Sequence, residues 1–404
     1  MNILKMAWRN VWRNRRRSLV TIAAMSLGLF TAVEYSGLVT GYIVAAEKTL
    51  LDLELGDLQI TAPGYRNDPS IYNRMDDVEP LLARLDAAGF RASARLLAGA
   101  LMAGEHSSAG VQLRGIDVER DARTSTINGY LLKGRWLKPD EPKAVVIGRR
   151  LSRTLDVGPG DEVVVLTQGA DGSLANDLYT VRGVLRSVGE ATDRAGVFMS
   201  AAAFRELMVL PRGAHQVVVR RPQALPLEQA AGQVRGLASG LQAQTWRELV
   251  PTMATMMDAA QAAMTAMFML VYIAIGIVIL NAMLMAVFER IRELGVLKAL
   301  GMSPLQVFAL VALESAIQTA LAVLVGLGIA LPVAFYLANT GLNLSGLSSV
   351  SVGGIAFDPI WRAQLSPAIF IRPVVLLTCV VMLAALYPAL KAAMIRPVRA
   401  IAHQ

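Results

Sequence analysis

The sequence predicts an α-helical membrane protein with four transmembrane helices and a large α+β extracytoplasmic domain inserted between helices one and two. Hydrophobic residues make up 54% of the 404 positions and charged residues only 17%, whereas a soluble domain carries about 25% charged residues. Four segments are apolar over the roughly 20 residues that a membrane-spanning helix needs. Between the first and the second of them lies a long segment of mixed polarity. These three observations together predict the fold class.

The four apolar segments are assigned as transmembrane helices one to four, at 18–46, 259–288, 304–337 and 368–390. A cleaved secretory signal is the alternative for the first segment, because the basic run RNRRR precedes it. The apolar stretch is too long for a signal peptide, and no small-residue cleavage site ends it. We therefore expect this segment to remain in the membrane.

Basic residues near the ends of the spans set the expected orientation, because such residues are retained on the cytoplasmic side. They are concentrated before span one, between spans two and three, and after span four, at Lys5, Arg9, Arg13, Arg15, Arg16, Arg17, Arg290, Arg292, Lys298, Lys391, Arg396 and Arg399. The connection 338–367 contains only Arg362 as a basic residue. We therefore expect both termini, including the tail 391–404, in the cytoplasm, and we expect 47–258 and 338–367 outside it.

The N-terminal segment 1–17 predicts an amphipathic helix that lies on the cytoplasmic membrane surface. Basic residues recur at helical spacing and apolar residues occupy an adjoining face, at Lys5, Arg9, Arg13 and Arg16 for the first and at Leu4, Trp8, Val11 and Trp12 for the second. Indole rings insert at the headgroup level while guanidinium groups bind anionic lipid. The alternative is that the basic residues serve only as an orientation signal.

The segment 47–258 predicts an α+β domain that is large enough for its own hydrophobic core. Six stretches show the β-branched alternation and the Gly or Pro boundaries of strands, namely DLQIT, VQLRGI, KAVVIG, DEVVVLT, YTVRGVL and HQVVVRR. Two further stretches, DDVEPLLARLDAAGF and LEQAAGQVRGLASG, are typical of helices that end near a glycine. The domain is therefore interpreted as a binding or force-bearing module.

The sequence shows no arrangement typical of catalysis, of a metal site or of nucleotide binding. His106 adjoins Ser107 and Ser108, but no nucleophile-elbow glycines flank them. The three histidines are far apart and Cys379 is the single cysteine, so no zinc spacing is present. GPGDE at 158–162 predicts a turn, and no Gly-Lys-Ser/Thr motif occurs. We expect this chain to bind no cofactor, and since its basic excess lies at the span ends, no nucleic acid.

The segment TWRELVPTMATMMDAAQAAMTAMFML predicts a helix that continues from the outer domain into span two, broken only by Pro251 near its start. Such a helix would act as a mechanical rod. Eight of the eighteen methionines lie between Met253 and Met285, and thioether side chains adapt to irregular apolar shapes. The candidate cargo or dimer-contact face comprises Glu34, Met253, Met256, Met257, Met264 and Met267. Ordinary helix packing is the alternative for each methionine.

Two acidic residues, Glu34 and Glu314, lie within apolar spans, where an unpaired charge costs about 2.5–3.5 kcal/mol. Helix length places Glu34 near the outer boundary, and Glu314 is expected nearer to mid-depth. A proton relay would need a second acid or a histidine close by. Polar contact between helices is therefore the favoured interpretation for both residues.

The connection 289–303 between spans two and three is charged yet regular. About three turns of helix are predicted from Glu289 to Leu300, and Arg290 can pair with Glu293 at i, i+3. A loop that merely reversed the chain would need no such regularity. The favoured interpretation is a helix that docks in a groove of a cytoplasmic partner, and a polar helix on the inner leaflet is the alternative.

Both ends of this predicted helix carry capping signals. Gly301 is placed to end it in a left-handed conformation, and Ser303-Pro304 is typical of an N-cap and first turn of the next span. The candidate coupling residues are Glu289, Arg290, Arg292, Glu293, Gly295, Val296, Leu297, Lys298, Leu300 and Gly301. The candidate membrane-surface residues are Trp8, Arg9, Trp12, Arg13 and Arg16.

The segment NAMLMAVFERIRELGVLKALGMSP closely resembles the FtsX/MacB-like ABC transporter permeases, as do the two ends AWRNVWRNRRRSL and YPALKAAMIRPVRAI. In the outer domain, LLKGRWL, EPKAVVIGRRLSRTLDVGPGDEVVVL and TWRELVP are closest to the lipoprotein-releasing LolC/LolE-type branch. The resemblance implies a periplasmic domain between spans one and two, a pair of permease subunits on two ATPases, and coupling through the short helix 289–303. One departure is that no hook loop is evident in the outer domain.

The function that the resemblance implies is release of lipoproteins or other lipidated cargo from the bacterial inner membrane by a non-catalytic permease subunit. Its expected partners are a cytoplasmic ABC ATPase dimer that binds ATP and Mg²⁺, a second permease subunit (the same chain or a relative), a periplasmic cargo or adaptor, and membrane lipids. The alternatives are a MacB-like efflux permease for drugs, toxins or siderophores, an FtsX-like activator of cell-wall hydrolases, and a membrane-bound enzyme, which only the isolated Ser and His residues would suggest.

Overall fold

The computed structural model describes residues 3–343 and 360–395. The described chain divides into two compact units. The membrane unit contains 3–44, 256–343 and 360–395, and the inserted domain contains 45–255. The predicted periplasmic connection 338–367 and the predicted tail 391–404, with Arg396 and Arg399, lie partly outside the described residues.

Thirteen α-helices occur in the described part of the chain. In order they are α1 Ile3–Arg13, α2 Arg15–Leu50, α3 Glu79–Ala87, α4 Val118–Asp121, α5 Arg149–Leu155, α6 Glu190–Ala195, α7 Ala201–Leu207, α8 Leu227–Leu237, α9 Trp246–Leu249, α10 Pro251–Glu289, α11 Ile291–Ala299, α12 Pro304–Asn339 and α13 Pro367–Ala393. A π-helical turn, Leu51–Leu55, extends α2, and a 3₁₀ turn covers Ile127–Gly129.

Four of these helices, α2, α10, α12 and α13, are long and apolar enough to cross a membrane. Each extends beyond the segment predicted from hydropathy, since polar turns at the ends continue the helix. The start of α12 is fixed by a capping box between Ser303 and Gln306, with Pro304 in the first turn. This confirms the predicted Ser303-Pro304 start.

The predicted uninterrupted rod into span two is wrong in one respect. Helix α9 ends at Leu249, Val250 has φ −128° and ψ 68°, and a new helix begins at Pro251. Val250 precedes a proline, and steric clash with the proline ring disfavours helical geometry at that position. The uninterrupted helix is instead α2, which leads from the first span to Leu50 and then into the π-helical turn.

Small residues bring the membrane helices close together. A Cβ atom added to Gly28 of α2 would lie 2.2 Å from Cδ1 of Ile275 in α10, and one added to Gly326 of α12 would lie 3.1 Å from Cδ2 of Leu29. The Ser26 hydroxyl donates to the carbonyl of Ala322 at 3.0 Å. Small residues and interhelical hydrogen bonds are the usual means of helix association in lipid.

The inserted domain is built on one ten-stranded sheet. Its strands are β1 Leu58–Thr61, β2 Arg91–Ala103, β3 Ser108–Ile116, β4 Leu131–Gly134, β5 Ala144–Ile147, β6 Glu162–Gln168, β7 Leu174–Leu185, β8 Gly196–Ser200, β9 Gln216–Arg220 and β10 Gln242–Thr245. The order is β10-β1-β9-β2-β3-β8-β5-β7-β4, with β6 bridging β2 and β7. Pairing is antiparallel except for β3 with β8 and β5 with β7. The membrane unit contributes a two-stranded ribbon, β11 Leu342–Asn343 with β12 Ile360–Trp361.

The inserted domain has separate hydrophobic clusters under its sheet. Leu96, Tyr179 and Phe204 belong to one of them, beneath α5 and α7, while Leu58 and Leu85 belong to another, beneath α3 and α8. All six predicted strands and both predicted helices occur, and the predicted fold class is confirmed. Strands β2, β4, β8 and β10 were not predicted.

Candidate functional site

The predicted coupling helix is present as α11, with a later start than expected. Helix α10 continues to Glu289, Arg290 leaves helical geometry at φ −112°, and α11 begins at Ile291. The predicted start at Glu289 is therefore wrong, because Glu289 and Arg290 form the end of span two and the turn after it. At the other end Gly301 has φ +103°, and the amide of Met302 donates to the carbonyl of Leu297 at 3.1 Å. The predicted left-handed glycine end is confirmed.

The apolar residues of this helix divide into two faces. Leu294 and Gly295 are buried, and Leu297 packs against the core of the membrane unit. Val296 and Leu300 point to the surface, and the Leu300 residue is 80% exposed. Arg292 is also exposed. Helix α11 is therefore anchored by one face and presents two apolar side chains on another.

A largely buried ion pair anchors the start of α11. Arg290 Nη1 lies 3.1 Å from Glu314 Oε1, with side chains 12% and 9% exposed respectively. The Asn10 amide of α1 donates to the same carboxylate at 2.6 Å. Glu314 thus makes the predicted polar contact between helices, and its charged partner is Arg290. From the sequence, Arg290 is assigned to the link between spans two and three. In the structure it directly follows α10, and its guanidinium reaches Glu314 of α12.

Exposed ion pairs extend this anchor to the N-terminal helix. Arg13 Nη1 lies 2.9 Å from Glu293 Oε2, and both side chains are 51% exposed. Arg17 pairs with Glu289 at 2.8 Å, and the predicted Arg290–Glu293 pair is present at 3.3 Å. Partial burial opposes ionisation of Glu293, but hydrogen bonds from Arg13 and Arg290 outweigh it and hold its pKa below the ordinary value. We call these five residues, with Glu314, the arginine–glutamate cluster.

Helix α11 is also tied to the end of α13. Lys298 Nζ donates to the carbonyls of Ala393 at 2.8 Å and of Ile395 at 2.7 Å. A cation at this position satisfies carbonyls that the helix itself leaves unpaired. Lys391 Nζ in turn lies 4.5 Å from the ring centroid of Phe288 at the end of α10. Helix α13 is therefore the third helix to contact α11 or its N-cap residue Arg290, after α1 and α12.

The N-terminal helix α1 packs on α12, and of the predicted apolar face only Val11 is buried there. Ala7 and Val11 are buried, whereas Leu4 and Trp8 are exposed. The Trp8 and Trp12 rings are in edge contact at 5.9 Å, and Arg9 and Arg16 are exposed. Trp8, Arg9 and Arg16 are thus exposed, while Arg13 joins the arginine–glutamate cluster.

The residues proposed as a cargo or dimer-contact face are not uniformly accessible. Met253, Met257 and Met264 are buried within the chain, whereas Met256 and Met267 are exposed. Glu34 is buried on α2, and neither of its carboxylate oxygens has a hydrogen-bond partner in the described part of the chain. Helical periodicity explains the alternation of the methionines, because α10 turns one side toward its neighbours.

The inserted domain shows no catalytic or metal-binding arrangement among residues 45–255. The Ser107 hydroxyl donates to the carbonyl of Thr154 at 2.9 Å, and His215 is fully buried between backbone groups. No group of three or more His, Cys, Asp or Glu residues that could hold a metal was found within the described ranges. The GPGDE segment forms the predicted turn, in which Asp161 accepts from the amide of Gly158 at 2.8 Å.

Two family models match the chain. The model described as MacB-like periplasmic core domain matches residues 18–237, and the model described as FtsX-like permease C-terminal matches residues 265–397. The first alone covers more than half of the 404 residues. No curated protein sequence matches the chain.

Solved structures are similar over about half of this chain. One is the periplasmic region of MacB from Actinobacillus actinomycetemcomitans, with 12% identity and a TM-score of 0.36, covering 49% of this chain and 91% of that one. Another is the extracellular domain of the ABC-type transporter YknZ from Gram-positive bacteria, with 13% identity and a TM-score of 0.33, covering 46% of this chain and 98% of that one.

Proposed function

The chain belongs to the FtsX/MacB-like family of ABC transporter permeases, and from this premise we propose that it couples ATP hydrolysis by a separate cytoplasmic ATPase to movement of its inserted domain. Permeases of this family partner with cytoplasmic ABC ATPases. ATP and Mg²⁺ would be bound by that ATPase, and the permease would contribute no catalytic residue. A second permease subunit, either the same chain or a relative, would complete the assembly.

The observation that carries this proposal is the construction of α11. The helix is held by an ion pair to α12, by a second ion pair to α1 and by Lys298 at the end of α13. Such anchoring would pass a displacement of α11 to α12 and α13, whereas the exposed pair with α1 can open. Val296 and Leu300 remain exposed on the same helix and form a small apolar contact for a groove in a partner.

The orientation proposed for the chain follows from its basic residues. With α11, the start of α1 and the end of α13 in the cytoplasm, the inserted domain lies in the periplasm and the chain is a multi-pass protein of the bacterial inner membrane. Contact of Trp8, Arg9 and Arg16 with anionic headgroups would fit the same orientation.

Lipidated cargo is the proposed substrate class. The support is the resemblance of LLKGRWL and TWRELVP to the lipoprotein-releasing branch. Exposed Met256 and Met267 on α10 offer adaptable apolar surface for acyl chains. Efflux of drugs, toxins or siderophores is the second candidate, because the matching model of the outer domain is the MacB-like one.

The docking role is tested with two surface variants, Val296→Asp and Leu300→Asp. Each is expected to reduce the amount of ABC ATPase that copurifies in mild detergent and to reduce its permease-dependent turnover. Leu297→Asp is a poor test, since Leu297 packs against the membrane core, and Glu293→Lys disturbs the pair with Arg13 as well. The control is Leu132→Asp, at an exposed leucine of the inserted domain. Full retention and turnover in both variants would contradict docking through α11.

The cargo is tested by depletion of the protein. Lipoproteins stranded in the inner membrane would support lipoprotein release. Altered export of drugs or toxins with normal lipoprotein sorting would support the efflux alternative. Filamentous cells with both processes normal would instead favour activation of cell-wall hydrolases.

A further inference from the structure

The sheet of the inserted domain contains an internal gap beside β2. Strand β9 pairs with residues 91–95 of β2, and β6 pairs with residues 101–103 farther along the same edge. Between these two segments the register pairs residues 96–100 of β2 with β3 alone. The sheet is therefore open at one strand edge in its interior, and we call this opening the strand gap.

Two side chains satisfy part of the open edge of β2. Nδ1 of His215 accepts from the Leu97 amide at 3.0 Å, and the Thr167 hydroxyl donates to the Gly99 carbonyl at 2.9 Å. Because alternate residues of a strand turn their backbone groups to the same edge, the Leu97 carbonyl and the Gly99 amide also face the strand gap. The register assigns neither of these two groups a partner in β6 or β9. The gap therefore presents one backbone acceptor and one backbone donor.

A cavity of about 560 Å³ lies at the strand gap. Its lining includes Leu97, Gly99, Thr167, Gln168, Tyr65 and Met208. Ligand-binding clefts in proteins usually measure about 300–1,000 Å³. An adjoining cleft of about 390 Å³ shares Thr167 and Gln168 with this cavity and extends to Leu174. Together the two clefts form an elongated site that lies entirely within the inserted domain.

Gly99 has no packing reason to be a glycine. A Cβ atom added to it would meet no atom of the described chain within 4 Å, its chain neighbours aside, and its φ lies outside the left-handed region. Glycine inside a strand weakens the strand, and it often marks a position where a ligand or another backbone approaches closely. The position of Gly99 at the strand gap therefore favours an occupant that comes close to the backbone of β2.

Apolar side chains continue from the strand gap across one face of the sheet. Leu101 of β2 lies opposite Leu166 of β6, and Leu174 of β7 follows on the same face, where it is 77% exposed. Their sequence neighbours Met102 and Val165 point to the other face and are buried. Exposed leucines beside an open strand edge would contact the apolar side chains of an added strand.

From these observations we infer that the strand gap binds an extended peptide segment of a partner protein, which adds a short strand to the open edge of β2. The Leu97 carbonyl accepts from an amide of the peptide, and the Gly99 amide donates to one of its carbonyls. Strand addition of this kind gains affinity from main-chain hydrogen bonds and specificity from contacts with alternate side chains. Leu101 and Leu174 supply the apolar contacts at the rim of the site.

The two backbone groups distinguish a peptide from an acyl chain as the occupant. An acyl chain in the strand gap would displace water from the Leu97 carbonyl and the Gly99 amide without replacing its hydrogen bonds, which is unfavourable. An extended peptide carries the matching donor and acceptor at strand spacing. Peptide binding at this site goes beyond the proposed function, since it requires neither the ATPase nor a lipidated cargo.

Binding is tested with the full chain in lipid nanodiscs and a library of end-blocked peptides. Each peptide has a lysine at both ends for solubility and random apolar, β-branched and hydroxyl residues between them. Peptides retained by the protein but not by empty nanodiscs are identified by mass spectrometry, and the most strongly retained one is dye-labelled for anisotropy titration. We expect saturable binding and enrichment of β-branched residues. Retention of no peptide above the empty nanodiscs would overturn the inference.

Gly99→Pro removes the amide donor of the strand gap and places a ring in its path. Proline is tolerated in a strand where the N–H faces away from a neighbouring strand. The lost hydrogen bond and the blocked edge should raise the Kd of the labelled peptide by about tenfold. Gly99→Ala is the matched control, because it keeps the amide and its Cβ enters open space, and its Kd should stay within about twofold of the parent. Equal Kd values for the parent and a folded Gly99→Pro variant would contradict strand addition.

Residue-resolved hydrogen exchange of the parent protein decides the matter if Gly99→Pro unfolds the sheet. Exchange of the Gly99 amide should slow by about tenfold or more with saturating peptide, while the amides of Ala98 and Ala100, which face β3, should stay slow with and without it. The same peptide with N-methylated central amides should bind about tenfold more weakly. An unchanged Gly99 exchange rate, or equal binding of the N-methylated peptide, would assign the site to apolar contact alone and overturn the inference.

Discussion

The arginine–glutamate cluster of the membrane unit and the Arg95–Asp121 pair of the inserted domain both join arginine to a carboxylate, but in different surroundings. In the cluster, the Arg13–Glu293 pair is half exposed, and exposed pairs contribute about 0.2–1 kcal/mol. In the inserted domain, Arg95 pairs with Asp121 at 2.9 Å, with side chains 4% and 3% exposed, and it also donates to the carbonyl of Glu54. Removing one partner of a buried pair costs about 3–5 kcal/mol.

This difference in exposure separates two mechanical roles. Under the proposed docking role, pairs that open at small free-energy cost would allow α11 to shift against α1 when a partner binds or releases. We expect pairs that are expensive to open, such as Arg95–Asp121, to stay closed throughout such a shift. The Arg290–Glu314 pair lies between these extremes, and we expect it to act as the fixed point about which α11 moves.

The largest effect is expected for Arg95→Gln. This change leaves the buried Asp121 carboxylate without its cation and removes a cap from Glu54 O. The free energy of unfolding of the inserted domain should fall by about 3–5 kcal/mol. Hydrogen exchange of β2 and β3 under denaturant in the full chain measures it. Arg120→Gln, whose partner Asp86 is more exposed, should change the same quantity by less than about 1 kcal/mol, and equal losses in the two variants would refute the contrast.

A smaller loss is expected for Arg290→Gln. Glu314 would keep only its hydrogen bond from Asn10, and the lost charged hydrogen bonds contribute about 1.5–3 kcal/mol. We expect faster thermal inactivation and a lower ATPase rate in the reconstituted complex. The double variant Arg290→Gln/Glu314→Gln removes both charges and should recover thermal stability without recovering full coupling. No recovery in the double variant would show that the two side chains act independently.

A pH dependence is expected from His215 in the inserted domain. Burial lowers its pKa below the ordinary value of 6.5, against a hydrogen bond to Ile71 that raises it. Its Nδ1 accepts from the amide of Leu97 at 3.0 Å, so protonation would place a donor opposite a donor. The neutral His215 side chain therefore stabilises the folded domain fully above pH 6.5. As the pH falls below 6.5, the free energy of unfolding should decrease by no more than about 1.4 kcal/mol per pH unit.

Stability of β2 against urea between pH 7 and pH 5 measures this effect. His215→Gln should flatten the pH dependence, while His106→Gln, at an exposed histidine, should leave it unchanged. A dependence that persists in His215→Gln would assign the titration to another group.

The smallest effect is expected for Arg13→Gln. The loss of its exposed pair with Glu293 should change thermal stability by less than about 1 kcal/mol. The ATPase rate should become less sensitive to salt, because screening already weakens this pair at high ionic strength. A stability loss as large as that of Arg290→Gln would contradict the proposed difference between exposed and largely buried ion pairs.

Much of the architecture could be predicted from local sequence patterns. Strands such as β5 and β9 are rich in valine between turn residues, so alternation and composition both indicated them. Strand β2 is the longest strand but reads RASARLLAGALMA, and its alanines and glycine have low β propensity. Its pairing with β3, β6 and β9 determines its conformation, and such long-range contacts leave no local signal.

Only part of the candidate site could be predicted, because some of its contacts are local in sequence and others are long-range. Gly301 and Ser303 act through neighbours in sequence, so their capping roles could be identified directly. The Arg290–Glu314 pair and the Asp57–Arg221 pair depend on which helix faces and strands meet in space. Asp57 and Arg221 are 164 positions apart, and no periodicity links them.

Thiol labelling of Leu300→Cys in the Cys379→Ser background tests whether α11 docks with a cytoplasmic ATPase. A membrane-impermeant maleimide is applied to right-side-out and inside-out vesicles, with and without the ABC ATPase that copurifies with the chain. We predict labelling in inside-out vesicles only, with protection when the ATPase is bound. Labelling in right-side-out vesicles, or equal labelling with and without the ATPase, would contradict docking through this helix.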